Sequence, residues 1–234
     1  MDELQSFLSE THFEFECIAD CIWKFNHQID YLKKLEREKL DAYFPNDKVL
    51  QTLRLRHEFY KLEDIFPRTL NYSFVVFVYI EIETRLMTLC ELIYEELRTP
   101  ICVKELKGSG INRYINYLTK FLRINKNDLE ILPVIFNLAT IRNCIVHANG
   151  FIDSSKDSNE INNLIKNEHY LPEHHRRTPK REEKLIISED YDNEQRLKID
   201  MHYPFLCCGY ARDLFSQLIM TINVCIKSHN NRVQ

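Results

Sequence analysis

The sequence has few of the residues that interrupt regular secondary structure. Its 234 residues include only 4 glycines and 7 prolines. A chain built from many short strands needs a turn about every ten residues, and glycine, proline or asparagine usually marks each one. The shortage therefore predicts a mainly α fold with long helices. Because 44% of the residues are hydrophobic, the chain can bury one substantial core, and we expect a single domain over residues 1–234.

Several further absences narrow the class of protein. The formal net charge is −4, so a nucleic acid would have to be bound by a local basic patch. The eight cysteines form no Cys-x-x-Cys pair, which argues against a disulfide framework or a zinc site and favours buried thiols in a reducing compartment. A glycine-rich phosphate loop and a Gly-x-Ser-x-Gly elbow are also missing, which makes nucleotide hydrolases and esterases poor alternatives. We expect no metal and no cofactor.

No hydrophobic run is long enough to cross a bilayer. The most apolar one, Phe74 to Ile82, is far shorter than the roughly 20 residues required, and Glu83 follows it directly. The first residues, Met1-Asp2-Glu3-Leu4-Gln5, are acidic and lack the basic and apolar regions of a signal peptide. We therefore expect a cytoplasmic protein without a membrane span.

What the sequence does contain is helical periodicity. Apolar residues that alternate spacings of three and four predict a first helix reaching about Ala42; they are Phe15, Ile18, Ile22, Phe25, Ile29 and Leu32. A second, more polar helix is expected up to Pro67. Residues 74–80 have the β-branched and aromatic content of a buried strand. Helical spacing nevertheless continues for several turns, so we predict one buried helix ending before Pro100.

The sequence of the last third of the chain predicts an irregular region there. Segment 151–183 is polar and charged without a sustained apolar period, which predicts a long surface insertion. Two short stretches around Asp192-Asn193-Glu194 predict a small β-hairpin before a C-terminal helix. The insertion contains basic residues that are candidate ligands of RNA phosphates, although neighbouring glutamates make an ordinary solvated loop equally compatible. These basic residues are Arg176, Arg177, Lys180 and Arg181.

A helix ending near Asn149-Gly150 carries polar side chains inside an apolar pattern. Glycine suits the left-handed residue after a helix. Arg142 falls on the apolar flank, where a charged side chain must find a partner or reach a cleft. Asn143 and His147 are four residues apart and share the face roughly opposite the core. A helix that is apolar nearly all round is expected at the centre of a bundle that also meets another subunit.

The run Ile141-Arg142-Asn143-Cys144-Ile145-Val146-His147 resembles the Arg-Asn-x-x-x-His motif of HEPN domains. The stretch Val78 to Leu86 is similar to the buried helix, with an acidic residue near its middle, that often precedes this motif. The resemblance implies a helical bundle that dimerises, so that two motif helices form one composite cleft, commonly cutting RNA without a metal. Asn149 departs from a subfamily pattern, because some HEPN toxins carry there a tyrosine that controls them by nucleotidyl transfer.

HEPN domains recur in toxin–antitoxin, abortive-infection and other antiviral systems. For this chain the resemblance implies an RNA substrate, a homodimer, and an antitoxin or regulatory protein as a further partner. Metal-free cleavage needs a base for the ribose 2′-hydroxyl proton, an acid for the leaving 5′-oxygen, and positive charge near the phosphate. Histidine is the side chain best suited to exchange a proton near physiological pH, so His147 is the expected base or acid. Arg142 would stabilise the phosphate, and Asn143 would orient His147 or bind the phosphate.

Glu83 is the predicted supporting residue of this site. It shares an apolar helix face with Tyr79 and Cys90, where an unpaired carboxylate is unfavourable. We expect it to pair with Arg142; an ordinary helix salt bridge near Arg85 is the alternative. Two functions remain open, a metal-independent endoribonuclease and a noncatalytic HEPN-like module that binds RNA or a protein and uses the motif for dimer packing.

Overall fold

The computed structural model describes residues 2–177 and 184–233, with side chains for residues 3–177 and 184–226. The described part is mainly helical and has a two-stranded hairpin before the C-terminal helix, which confirms the predicted fold class. No helix in these residues is both long and apolar enough to cross a membrane. The elements in chain order are α1 (Asp2–Tyr43), α2 (Lys48–Tyr60), α3 (Phe66–Leu97), α4 (Gly110–Leu122), α5 (Leu132–Ala148), α6 (Ser158–Asn167), α7 (Glu173–Arg176), β1 (Ile186–Tyr191), β2 (Glu194–Ile199) and α8 (His202–Val233).

Helix α1 packs chiefly along α8. The rings of Phe7 and Phe15 lie 5.9 Å and 6.2 Å from the ring of Phe215, measured between centroids. Most of the predicted apolar stripe of α1 is buried, namely Phe15, Ile18, Ile22 and Ile29, but Phe25 is half-exposed and Asn26 takes the inward position. The amide of Asn26 donates to the carbonyl of Ile22 at 3.0 Å, which satisfies this polar group inside the helix.

Helix α3 lies at the centre of the fold and contacts α1, α4, α5 and α8. Its strand-like segment is helical, as the periodicity predicts, because neighbours on several sides bury side chains whose intrinsic helix preference is weak. The predicted break at Pro67 is wrong. A π-helical turn, Lys61–Ile65, joins α2 to α3 without interruption, and Pro67 lies in the first turn of α3, where its missing N–H is tolerated.

The β-hairpin is attached to α3 by side-chain hydrogen bonds. Its strands pair antiparallel, with Ile186 opposite Ile199. The amide of Asn71 donates to the carbonyl of Ile199 at 2.8 Å, and the hydroxyl of Tyr72 donates to the carbonyl of Leu197 at 2.6 Å. Strand β2 is therefore held beside the N-terminal half of α3.

Segment 151–183 differs from the predicted polar surface insertion over its described part, residues 151–177. This part contains α6 and α7, and several of its apolar side chains are buried: Ile152, Ile161, Leu164, Tyr170 and Leu171. Helix α6 is short and turns only two large apolar residues inward, which gives too few repeats for the period to be recognised from sequence.

Candidate functional site

The C-terminal end of the motif helix α5 is fixed by backbone geometry. Asn149 is the first left-handed residue after the helix, with φ 51°, and Gly150 follows with φ 79°. The N–H groups of both residues donate to the carbonyl of Cys144. A Cβ atom on Gly150 would overlap the hydroxyl of Tyr72, so the helix end approaches α3 as closely as glycine allows.

Arg142 is held in place by a neighbouring amide and an aromatic ring. Its Nη1 donates to Oδ1 of Asn143 at 3.0 Å, and its guanidinium carbon lies 5.2 Å from the ring centroid of Tyr79. Its Nε is buried and has no hydrogen-bond partner among the described residues. The side chain is therefore positioned, while its Nη2, which makes no hydrogen bond within the described structure, is left for another acceptor.

Tyr79 provides the ring on which Arg142 rests. Burial, followed by the negative charge of Glu83, raises the pKa of the Tyr79 hydroxyl, while a backbone hydrogen bond with Ile111 and the charge of Arg142 act to lower it. The phenol therefore stays neutral at physiological pH. Its ring face attracts the guanidinium without itself carrying a full charge.

The expected ion pair between Glu83 and Arg142 is not formed. Among the residues with described side chains, no carboxylate oxygen of Glu83 lies within 4.0 Å of the Arg142 guanidinium. Together with burial, the negative charge of Glu83 instead raises the pKa of Tyr79, whose ring occupies the space beside the guanidinium. The alternative partner is also taken, because Arg85 pairs with Glu81 at 2.8 Å.

His147 is exposed in the last turn of α5. It lies five residues after Arg142, about 7.5 Å along the helix axis. No hydrogen bond joins it to Asn143 in the described structure, and Oδ1 of Asn143 is already engaged by Arg142. The NH₂ group of Asn143 makes no hydrogen bond within the described structure, so it can donate to a phosphate or another acceptor. Val146, between these residues in sequence, is 46% exposed.

Of the predicted basic residues of the insertion, the described ones, Arg176 and Arg177, form no hydrogen bond or ion pair with the motif residues. Arg176 and Arg177 are exposed on α7, and Arg177 pairs with Glu173. Lys180 and Arg181 lie outside the described residues. The chain leading into α7 meets α5 where the amide of Asn137 donates to the carbonyl of His169 at 2.7 Å. Asn137 is ten residues before His147, about 15 Å along the helix.

Cys144, inside the motif, is a packing residue. Its thiol is buried, and burial raises its pKa to about 11. The thiol therefore stays protonated near neutral pH and is not an activated nucleophile. Within the described residues, no cluster of three or more His, Cys, Asp or Glu side chains is arranged to hold a metal ion.

A groove of about 660 Å³ opens between α3, the end of α5 and β2. Its polar end contains two arginines that sequence reasoning did not select, Arg68 and Arg196. Arg196 donates from Nε to the carbonyl of Asn149 at 3.2 Å, across 47 positions of sequence. No short motif marks such a contact. Strand alternation places Arg196 on the face opposite Leu197 and Ile199, where an exposed arginine would be expected.

Comparisons of the chain with protein-family models, with curated proteins and with solved structures each found no match. Function is therefore inferred from the motif and from its geometry.

Proposed function

We propose that the protein is a metal-independent endoribonuclease of the HEPN type, which cleaves RNA in a cleft shared by two copies of α5. The observation that carries the proposal is the end of α5, where Arg142 is held against Tyr79 and Asn143 while His147 faces solvent. A positioned cation and an accessible imidazole on one helix are two of the groups that phosphodiester cleavage requires.

In the proposed reaction, His147 takes the proton of a ribose 2′-hydroxyl. The 2′-oxygen then forms a bond to the adjacent phosphorus, and the bond from phosphorus to the 5′-oxygen breaks. His147 of a second copy gives a proton to the departing 5′-oxygen. The products are a 2′,3′-cyclic phosphate and a 5′-hydroxyl, so atoms and charge balance without a metal. Arg142 stabilises the phosphate, and the NH₂ group of Asn143 donates to it.

Exposure of Val146 supports the shared cleft. One copy offers a single motif imidazole, whereas the reaction uses a base and an acid. Val146 places 46% of an apolar side chain in solvent beside the motif residues, and contact with a second α5 would bury it. A two-fold axis near this residue would bring two copies of the motif together.

The biological role follows from the resemblance of residues 141–147 to the HEPN motif. We infer a cytoplasmic toxin or antiviral effector whose activity an antitoxin or regulatory protein restrains. The exposed site agrees with such control, since nothing within the described chain covers His147 by hydrogen bonding or ion pairing.

The test is cleavage of total cellular RNA in EDTA by wild type, His147→Ala and the control His57→Ala, an exposed histidine on α2. Wild type and His57→Ala should generate 2′,3′-cyclic phosphate ends. His147→Ala should lose about 10²-fold or more of the rate, since general acid–base catalysis contributes that much. Light scattering and circular dichroism should show that the variant remains a folded dimer.

Equal cleavage by wild type and His147→Ala would contradict the assignment of His147. Absence of cleavage by wild type, together with a monomeric or unstable His147→Ala protein, would instead favour the noncatalytic dimerisation module.

A further inference from the structure

Arg196 is a buried cation whose position is determined by several contacts. The residue is 6% exposed. Its guanidinium carbon lies 4.7 Å from the ring centroid of Phe151 and 5.3 Å from that of Tyr191, while Nε donates to the carbonyl of Asn149. Phe151 and the Asn149 carbonyl follow α5, whereas Tyr191 belongs to the neighbouring strand β1, so contacts from two parts of the chain preorganise the guanidinium before any ligand arrives.

Arg196 nevertheless lacks an anionic partner. Glu189 is directly opposite it in the hairpin, but Oε2 of Glu189 pairs with Lys198 at 3.2 Å. Among the described side chains, no carboxylate oxygen lies within 4.0 Å of the Arg196 guanidinium. A buried charge is normally paired, because its removal from water is unfavourable. The open side of the groove is where a pairing anion can enter.

A second arginine lies at the same end of the groove. The guanidinium carbon of Arg68 is 5.7 Å from the ring centroid of Tyr191, the ring that also contacts Arg196. The Arg68 side chain is 14% exposed and pairs with Asp64 at 3.2 Å. Two guanidinium groups lie around one ring, and among the described side chains only that of Arg68 pairs with a carboxylate, which leaves a local positive charge inside a chain of net charge −4. Their forked donors suit phosphate oxygens.

The other end of the groove is apolar. Phe77 is 48% exposed, and Val76, Ile80 and Ile145 form the adjoining wall. An exposed aromatic ring provides a stacking surface for a flat base. The volume, about 660 Å³, falls in the range of about 300–1,000 Å³ typical of small-ligand sites.

We propose that this groove binds a nucleoside phosphate, with the phosphate at Arg68 and Arg196 and the base against Phe77. The ligand is a free nucleotide or a nucleotide of an RNA strand, which present the same chemical groups. The site is separate from His147 of the same copy. Ile145, which lines the groove, and His147 point about 160° apart around α5. Binding in the groove therefore does not depend on the proposed cleavage.

The experiment measures binding to the full chain by calorimetry in EDTA with three probes. The probes are AMP, adenosine, and an eight-nucleotide adenosine strand with 2′-O-methyl sugars that cannot be cleaved by 2′-hydroxyl attack. Adenosine should bind at least about tenfold more weakly than AMP, because it lacks the charge-assisted hydrogen bonds to the arginines. Tighter binding of AMP than of the strand identifies a free nucleotide as the ligand, and the reverse identifies RNA.

The variants Arg68→Gln and Phe77→Ala test the two ends of the groove without removing the buried Arg196. Each should weaken binding of the phosphorylated probes, Arg68→Gln by about tenfold. Arg212→Gln is the matched control, since Arg212 pairs with Glu16 on the α1–α8 side, and it should bind like wild type. Unfolding curves of all variants should be compared first.

The proposal is overturned if adenosine binds as tightly as AMP, if neither phosphorylated probe binds, or if Arg68→Gln binds like wild type. His147→Ala should bind AMP normally. Failure of the groove and failure of the proposed ribonuclease are therefore distinguishable in the same set of proteins.

Discussion

The motif helix α5 and the hairpin strand β2 each hold an arginine against aromatic rings, but by different means. Arg142 of α5 is half-buried, rests on one ring and bonds the side chain that follows it in sequence. Arg196 of β2 is almost fully buried, lies near two rings and bonds a carbonyl 47 residues away. Both arginines rest on a ring from a distant part of the chain, but the hydrogen bond of Arg142 is local, whereas that of Arg196 forms only when the hairpin meets the end of α5.

The largest expected effect comes from Gly150→Ala, which alters the junction of these two regions. The added Cβ overlaps the Tyr72 hydroxyl, and this side chain cannot move freely because it donates to Leu197 at 2.6 Å. The backbone is also left-handed, with φ 79°. Together, overpacking and strain should lower the free energy of unfolding by about 2–4 kcal/mol in urea denaturation.

Gly209→Ala is the matched control for this substitution. Gly209 lies within α8, and an added Cβ would meet no atom within 4 Å. Alanine is favoured over glycine in a helix by about 1 kcal/mol, so this variant should be as stable as wild type or more stable. Equal destabilisation by the two substitutions would contradict the close contact between Gly150 and Tyr72.

A smaller effect is expected from Tyr72→Phe, which removes one hydrogen bond between α3 and β2. The carbonyl of Leu197 loses its buried donor, which should lower the free energy of unfolding by about 1–2 kcal/mol. Tyr79→Phe is the counterpart beside the motif. It should leave Arg142 in place, because the ring under the guanidinium is kept.

Tyr72→Phe should also differ from wild type in how its free energy of unfolding depends on pH. Burial raises the pKa of Tyr72 to about 12, against the ordinary value of 10.0 that holds in the unfolded chain. The unfolded chain therefore releases this proton first. The stabilisation is complete below pH 10 and is lost between pH 10 and about 12, at up to about 1.4 kcal/mol per pH unit. Denaturation at pH 9, 10 and 11 should show a shallower decline for Tyr72→Phe than for wild type; equal slopes would contradict the raised pKa.

The contrast between Arg142 and Arg196 also explains how much the sequence predicts. Helical spacing identifies the long helices, including the strand-like segment 74–80, because the spacing of their apolar residues repeats over several turns. It places Arg142 beside a core and His147 on another face. It fails at Pro67, since the π turn before this proline leaves no periodic signature in the sequence. It also fails at α6, which has only two large inward apolar residues.

The rest of the site could not be predicted because its contacts are long-range. The groove needs Tyr72 of α3, Asn149 after α5 and Arg196 of β2 to meet, and nothing in the local pattern of any one element specifies the others. Glu83 is the opposite case, a contact that the sequence predicts and the structure does not form. A helix face shared with Tyr79 predicts an ion pair between Glu83 and Arg142, but it does not reveal that the Tyr79 ring fills the place beside Arg142.

The smallest expected effect belongs to Glu83→Gln, which decides whether the motif arginine depends on a carboxylate or on a ring. Because Glu83 forms no ion pair with Arg142 in the described structure, the change should shift the free energy of unfolding by no more than about 0.5 kcal/mol. RNA cleavage in EDTA should be unchanged. Glu81→Gln is the control, since it breaks the 2.8 Å contact to Arg85 and should have a larger effect on stability than Glu83→Gln. Loss of cleavage in Glu83→Gln, with stability retained, would mean that the carboxylate positions Arg142 when RNA is bound.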